Sequence, residues 1–563
     1  MVAELTPVET RAQDGNFTRQ CSLTGLQERL PLAWPTPPDT PPSPKKCYRS
    51  HYLYRGWDDL PDPAAWEHLS DFDLVLRLVD FSGLRPALAQ LLGWTSARGY
   101  CPFDPVSMFL LHGWQITNGW NRVETLRKLR DPRYADYALR FGFENGVYPT
   151  EGGMRYFLTA LGRHSDNSDA VIQVALDHGP PIPIAVDCLN QLIIQSITLI
   201  READLLSPEA WQAALVCPDG MIHDAAARMR CAAVQASCYH PAPRPCPAQD
   251  KERQGCDCDT LACAQACRYA TPRDAQARFI SYTGSNQPHP NNPNQANPPS
   301  QAAHQPGKAR YGYRSLPLQL ADATRRFSLV LLDHFLPANQ REENPVAALL
   351  HYLPTGYPDL NLATVAGDAS FGYEVILRIV YQLGAKRVID LRAHHTDRDK
   401  SLWPIRGYDH KGRPVCPFGY AFTANGFDAC RQRHKWVCAQ ACLRGLEPRA
   451  RLDHVTYPPH ECPFQSNHHP HGRILNVGER FPDGSLRLVR DIPVGTPTWK
   501  RFYHRARNAS ESRNAAFQRW HLKRLPVYGQ PRAQALIFQA DVWLNLTSLA
   551  RLVREATLVA LTP

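Results

Sequence analysis

The chain lacks several things, and each absence narrows the reading. Its 563 residues contain no uncharged apolar run of about 18 residues, the length that crosses a bilayer core. The opening MVAELTPVETRAQDGN has neither the basic segment nor the apolar stretch of a secretory leader. The expectation is a cytoplasmic protein with no membrane partner. In a reducing compartment 17 cysteines are not a disulfide framework, so their clustering points to metal or to plain thiols. No two cysteines show the two-residue spacing of common zinc fingers. Acid is scarce near the carboxyl end, where Glu511 is the only carboxylate between Asp491 and Asp541.

Positive charge and proline are plentiful. Lys and Arg number 63 against 53 Asp and Glu, a net charge of +10 that favours a polyanionic partner. The 50 prolines imply Pro-rich loops in a chain long enough for several domains. Residues 1–63 read as a tail and linker, LPLAWPTPPDTPPSPKK, whose prolines disfavour helix and sheet. From 64 to 205 apolar residues recur three and four apart, as in WEHLSDFDLVLRLVD, PVSMFLLHGWQITNG, RVETLRKLRD and NQLIIQSITLIREAD, which predicts an all-helical domain. Its Trp114, Trp120, Arg122, Arg127, Lys128 and Arg130 suit contact with DNA phosphates, or equally a solvated face over buried tryptophans.

Beyond it, AALVCPDGMIHDAA opens with a short apolar strand ending at Asp219, within a first catalytic-domain piece at 206–230. Residues 231–307 hold a cysteine group and SNQPHPNNPNQANPPSQAAHQPG, a composition that predicts a largely disordered insertion. The core resumes over 308–394. KARYGYRSLPLQLAD and RRFSLVLLDHFLPAN read as a hairpin, followed by helix NPVAALLHYL, strand LNLATVAGDAS, helix YEVILRIVYQLG and strand AKRVIDLRA. Three strands and then alternating helix and strand is the order of a mixed sheet of the ribonuclease H type. A Cys/His-rich insertion spans 395–500, and two helices close the chain over 501–563. The expected class is multi-domain α+β: a helical amino-terminal domain, then a ribonuclease H-like sheet flanked by helices and interrupted by two insertions.

Asp219 and Asp368 each end a predicted strand, in CPDG and AGDAS. Side by side, two such carboxylates repel by roughly 4 kcal/mol at an effective dielectric near 20, so the pairing calls for a cation or a shared proton. Magnesium or manganese takes carboxylate oxygens, and two such ions can activate an attacking hydroxyl and steady a leaving oxygen. The competing reading of Asp368 is a cap for the helix behind Ser370 and Gly372. In RNASESRNAAFQRWHLKRL, Glu511 stands among basic residues as a candidate third acid, or as an ion-pair partner of Arg507 four residues earlier.

The ordered set CPDG, RDAQARF, KARYGYRSLPLQLAD, FLPANQREENP, TVAGDASFGYE and RNASE resembles the DDE transposases of bacterial insertion sequences. The likeness covers roughly residues 100–555. It implies a ribonuclease H-like fold, with Asp219, Asp368 and Glu511 as catalytic residues holding magnesium. It also implies Mg-dependent cleavage and strand transfer of double-stranded DNA at terminal inverted repeats, a homodimer in the active complex, and a nucleoid-associated location. Arg505, Arg507, Arg513, Lys523 and Arg524 would neutralise phosphates. Around the Glu the family shows Tyr, two residues, Arg, three residues, Glu, six residues, Lys; here His504 and Gln518 stand at the Tyr and Lys positions. Asp224 rivals Asp219 as first acid. The alternatives are a catalytically impaired, transposase-derived zinc and DNA-binding protein, and a metal-dependent nuclease without strand transfer.

Two groups are candidate structural zinc ligands. One is Cys256, Cys258, Cys263 and Cys267; the other is Cys416, Cys430, His434, Cys438, Cys442 and Cys462. His434, Cys438 and Cys442 recur every four residues, which on a helix would put them on one face.

Overall fold

The computed structural model describes residues 30–33, 47–56, 60–94, 101–144, 146–163, 168–175, 180–226, 274, 276–282, 288–289, 292–296, 308–321, 328–389, 407–408, 413–416, 420–428, 433–438, 474–478 and 497–561. Described elements are numbered in chain order. The amino-terminal part contains α1 (Asp71–Leu78), α2 (Arg85–Leu91), α3 (Pro105–Thr117), α4 (Arg122–Leu129), α5 (Ala135–Arg140) and α6 (Glu151–Arg163). Starts follow local chemistry: Ser70 caps α1 by accepting from Asp73 N–H, and Asp104 caps α3 through Val106 N–H with Pro105 in the first turn. The expectation of an all-helical segment fails after α6. There β1 (Ser168–Val174) and β2 (Ile182–Asp187) form an antiparallel pair, built on the alternating Ala170, Ile172 and Val174 and on Ile182, Ile184 and Val186. Then follow α7 (Asn190–Glu202) and α8 (Pro208–Gln212).

Two sheets come next. Their strands are β3 (Ala214–Pro218), β4 (Met221–Asp224), β5 (Arg278–Tyr282), β6 (Lys308–Ser315), β7 (Leu318–Ala321), β8 (Ser328–Leu332) and β9 (Phe335–Pro337). After α9 (Glu343–Gly356) come β10 (Leu362–Gly367), α10 (Glu374–Gln382) and β11 (Lys386–Ile389). The central sheet has the order β8-β7-β3-β10-β11; β7 is antiparallel to both neighbours, whereas β3, β10 and β11 run parallel. A second sheet pairs β6 with β4, β5 and β9. The expected single hairpin over KARYGYRSLPLQLAD and RRFSLVLLDHFLPAN is therefore corrected. Leu316 and Pro317 break the first run and His334 the second, so each contributes one strand to each sheet, and Pro317 has no N–H for a ladder.

The 231–307 insertion is also partly ordered, because β5 lies in it and joins the second sheet; residues 227–273 lie outside the described residues. In the later insertion β12 (Thr423–Asp428), β13 (Arg433–Val437) and β14 (Ile474–Gly478) form an antiparallel sheet. The chain closes with α11 (Pro497–Arg519) and α12 (Gln530–Leu561).

One buried cluster runs from Leu32 through the amino-terminal helices and the central sheet to Val553, so the boundary expected at residue 205 does not separate two cores. The apolar helix α12 is the shared element. Its Trp543 is fully buried against Phe72, Phe81 and Phe109, at ring-centroid distances of 4.9, 5.7 and 5.7 Å. A Cβ at Gly113 of α3 would stand 2.0 Å from that indole, so only glycine permits the approach. Farther along α12, Asn545 completes the edge strand β8: its Oδ1 accepts from Val330 N–H and its Nδ2 donates to Val330 C=O, both at 2.9 Å. Among the described residues no helix is long and apolar enough to cross a membrane.

Two buried histidines make stability depend on pH. Burial lowers His112 to about 4 and His223 to about 3. The ordinary value is near 6.5, so below that pH the unfolded chain binds protons that the folded chain refuses. Stability therefore falls from about pH 6.5 towards pH 4, by roughly 1.4 kcal/mol per pH unit for each histidine. Asp219 and Asp333, raised above the ordinary range chiefly by burial, act with the opposite sign over their own window. The histidine share is thus read by difference: urea titrations from pH 7 to 4 should show a shallower loss for His112→Gln than for wild type. Equal slopes would mean that the ring takes up its proton in the folded protein.

Candidate active site

The strand β3 is apolar on both faces, as a central strand of a covered sheet must be. Its Ala214 and Val216 join the main core, while Leu215 and Cys217 turn the other way, towards α11. There they meet Ala321 of β7, Ala366 of β10 and Val388 of β11, under Trp499, Ala506 and Ala509 of α11. Small alanines let the helix lie close on the sheet.

Asp219 and Asp368 are the first residues past β3 and β10, which are adjacent and parallel. Val365 pairs with Val216, so three residues further on each strand the two aspartates face each other at about the 4.8 Å strand spacing. A Cβ on Gly367 would touch Pro218 Cγ at 3.4 Å, which fits that closeness. Asp224 lies instead in β4 of the second sheet, where its Oδ1 accepts from Arg310 Nε at 2.7 Å. The chain leaves the sheet at both acids: Asp219 N–H donates to Pro317 C=O, and Asp368 Oδ1 accepts from Ser370 N–H at 2.8 Å and from its hydroxyl. That Asx-type turn is the capping role weighed for Asp368, and it leaves Oδ2 outside the turn.

Asp219 is 9% exposed. Burial raises its carboxyl above the usual range and Asp368 adds to the rise; hydrogen bonds from Gly220 N–H and Asn514, together with the Arg507 charge, oppose it. Arg507 is itself pushed above its ordinary value: burial works against its charge, but Asp219, Tyr503, Asp368 and Glu511 outweigh that cost. One guanidinium thus lies in the field of all three predicted acids.

Glu511 comes only part of the way. Its side chain is 64% exposed and accepts from Arg507 Nη2 at 3.5 Å, the i,i+4 pair weighed as the alternative reading. In its place Asn514, one turn further along α11, reaches Asp219, donating from Nδ2 to Oδ2 at 2.9 Å. Among the described residues no three His, Cys, Asp or Glu side chains are gathered closely enough to hold a metal ion. The donor set nonetheless suits a hard cation. Two facing carboxylates supply oxygens, and the buried Asn514 Oδ1 beside them has no hydrogen-bond partner.

The predicted phosphate-neutralising residues divide. Lys523 and Arg524 are exposed after α11, their backbone tied to β4 where Asp224 N–H donates to Lys523 C=O at 2.8 Å. Arg505 is half-buried and its neighbour His504 is exposed, as is Gln518. Arg513 is a correction: it is fully buried and turned into the core, away from any ligand. It donates to Asp541 Oδ1 (2.7 Å) and Oδ2 (3.1 Å), to Asp333 Oδ2 (3.1 Å) and to Ser315 Oγ (3.2 Å). Trp114 is likewise core, stacked on Tyr137 at 4.8 Å, and Arg127 is bound by Glu124.

The zinc expectation for the later group loses its geometric ground. Residues Arg433–Val437 form a strand, so residues four apart are separated by about 13 Å rather than the about 6 Å of a helix, and the shared helical face for His434 and Cys438 does not exist. Cys416 and Cys438 do meet, in a small cluster with Phe422, Trp436 and Leu475. Cys430, Cys442 and Cys462, and the whole of Cys256, Cys258, Cys263 and Cys267, lie outside the described residues.

No protein-family model matches the chain, and no curated protein matches it in sequence. The site therefore rests on its own geometry.

Two site residues escaped the sequence reading. Asn514 carries no signal in a sequence searched for acids. Glu342, in the quoted segment FLPANQREENP, reads there as an ordinary acid at a helix start. In the structure its side chain, 17% exposed, accepts from Arg314 Nη1 at 2.6 Å and lies close to Gly220 and Ser370.

Removing Arg513 should separate structure from contact. Arg513→Ala leaves two buried carboxylates unpaired and should cost about 3–5 kcal/mol in denaturant unfolding. A loss below 1 kcal/mol would show that the network does not hold α11.

Proposed function

We propose that the chain is a DDE-type transposase that cuts and rejoins DNA by phosphoryl transfer with a divalent metal, on a ribonuclease H-like sheet. The observation that carries the reading is the pair Asp219 and Asp368, in register at the ends of adjacent parallel strands, with the basic helix α11 crossing those strands. The central sheet supports it too: three strands paired antiparallel, followed by strand, helix and strand in parallel, is the order expected of that fold from the sequence. Arg507 and Glu511 project from the turn of α11 that passes the aspartates, and Asn514 holds one of them directly.

A bound magnesium or manganese pair would activate the attacking oxygen and steady the leaving one. Asp219 and Asp368 would hold it, with Glu511 completing the shell after parting from Arg507. That separation is easy, because an exposed i,i+4 pair is worth only about 0.3–0.5 kcal/mol. Asn514 fixes the Asp219 carboxylate, and the Ser370 backbone fixes that of Asp368. Arg505, Lys523 and Arg524 lie along or just beyond α11, where they would meet phosphates on either side of the reacting one. Attack by water and then by the freed 3′ hydroxyl would be in line. Terminal inverted repeats and target DNA are the substrates in this reading, with two copies of the chain in the active complex.

A second reading, a DNA-binding descendant without nuclease activity, draws on the exposed, ion-paired Glu511. A strand-transfer assay with cognate terminal repeats and magnesium separates the two, and also detects a nuclease that cuts without joining. Asp368→Asn should lower cleavage at least 1,000-fold, about 4 kcal/mol of barrier, while leaving end binding intact. Cleavage that survives the substitution removes Asp368 from the chemistry.

A further inference from the structure

We propose that Glu342 is a positioning residue for Asp368, acting through the Ser370 hydroxyl to determine which Asp368 oxygen stays open to a divalent cation. The proposal rests on the reading of Asp219 and Asp368 as cation ligands. It starts from a count of hydrogens. Ser370 Oγ donates to Asp368 Oδ1, and the same side chain is also hydrogen-bonded to Glu342. A hydroxyl has one hydrogen, so the two carboxylates compete for it. When Glu342 takes it, Asp368 Oδ1 keeps only the Ser370 N–H at 2.8 Å and gains an open lone pair.

Glu342 is built to stay in place. Arg314 Nη1 donates to its Oε2 at 2.6 Å, and both side chains are largely covered, at 12% and 17% exposure. The residue stands at the amino end of α9, which fixes its backbone. On the far side is Gly220, the residue after Asp219; a Cβ there would come within 3.3 Å of Glu342 Oε2 and crowd the carboxylate. Glu342 therefore fills the space between the segments that carry the two aspartates. Its contact with Asp368 is electrostatic and through Ser370, so it acts on a ligand rather than as one. Carboxylates that orient metal ligands in this way typically change affinity 10–100-fold when removed.

The test measures manganese binding to the full chain without DNA, by electron paramagnetic resonance of free Mn²⁺, in Glu342→Gln, Ser370→Ala and the double variant, with unfolding midpoints as a check on folding. In Glu342→Gln the amide donates to Ser370 Oγ and leaves the hydroxyl permanently on Asp368. Affinity should fall roughly 10-fold or more. Ser370→Ala should lose a comparable amount, and the double variant no more than the weaker single, because both act through one contact. Unchanged affinity in Glu342→Gln, or losses that multiply in the double variant, would overturn the proposal. Should Glu342→Gln fail to fold, Ser370→Ala binding manganese like wild type would do so alone. Asp368→Asn distinguishes the two levels: if it loses manganese while Glu342→Gln does not, only the role of Glu342 falls. If Asp368→Asn binds as wild type does, the cation site itself falls.

Discussion

The arrangement of the site depends on a buried charge cluster that no ligand touches. Arg513 enters the core from α11 and binds Asp541 of α12, Asp333 after β8 and Ser315 of β6 at once. Its guanidinium also lies over the Phe517 ring, 4.1 Å from the centroid. The cluster thereby joins the closing helices to both sheets. His223 extends it: its Nδ1–H donates to Leu522 C=O and its Nε2 accepts from Ser315, each at 2.9 Å. Ions this deep give little net stability, since their desolvation cancels most of the attraction. Their effect is geometric. Two acids and a fork of donors accept few arrangements, and in this one Asn514, the next residue on α11, reaches Asp219.

A sheet covered on both faces enforces the rest. Because Leu215 and Cys217 must lie under α11 while Val216 lies in the main core, β3 cannot slip by one residue without exposing a face. Its register with β10 is fixed for the same reason, and so is the confrontation of Asp219 with Asp368. Two like charges are thus held together by apolar packing on the strands beneath them. The surrounding chain answers with Arg507, with Asn514 and Gly220 N–H on Asp219, and with Ser370 on Asp368.

Local patterns in the sequence foretold local structure. Three- and four-residue spacing marked the helices, and Asp–Gly and Gly–Asp–Ala–Ser marked two strand ends, because such residues interrupt a ladder through their own backbone chemistry. The break at Leu316–Pro317 carried a signal as well, a proline lacking its N–H, but the apolar alternation on both sides concealed it. Three features depend on partners far away in the chain and had no local mark. Arg513 reads as surface charge until Asp333, 180 residues away, is seen beside it. His434 and Cys438 share a helical spacing, yet pairing with β14 makes their segment a strand. Glu342 acquires its role only when α9 is packed against the turns after β3 and β10.

The single acid of α11 illustrates how position and partner divide the evidence. A solvent-facing Glu511 paired to Arg507 looks structural, yet a surface pair of this kind adds almost nothing to stability. A helix needing only stability would gain as much from an apolar or neutral side chain there. Arg507 binds the argument together, because its charge acts on Asp219, Asp368 and Glu511 alike. The three carboxylates are therefore already linked through one cation, a guanidinium. A divalent ion competing for the two aspartates would weaken the hold of Arg507 on both and leave Glu511 to turn towards the stronger charge. The weakness of the Arg507–Glu511 pair is then what makes the third acid available, and the departures at His504 and Gln518, both on the exposed side of the helix, leave that exchange untouched.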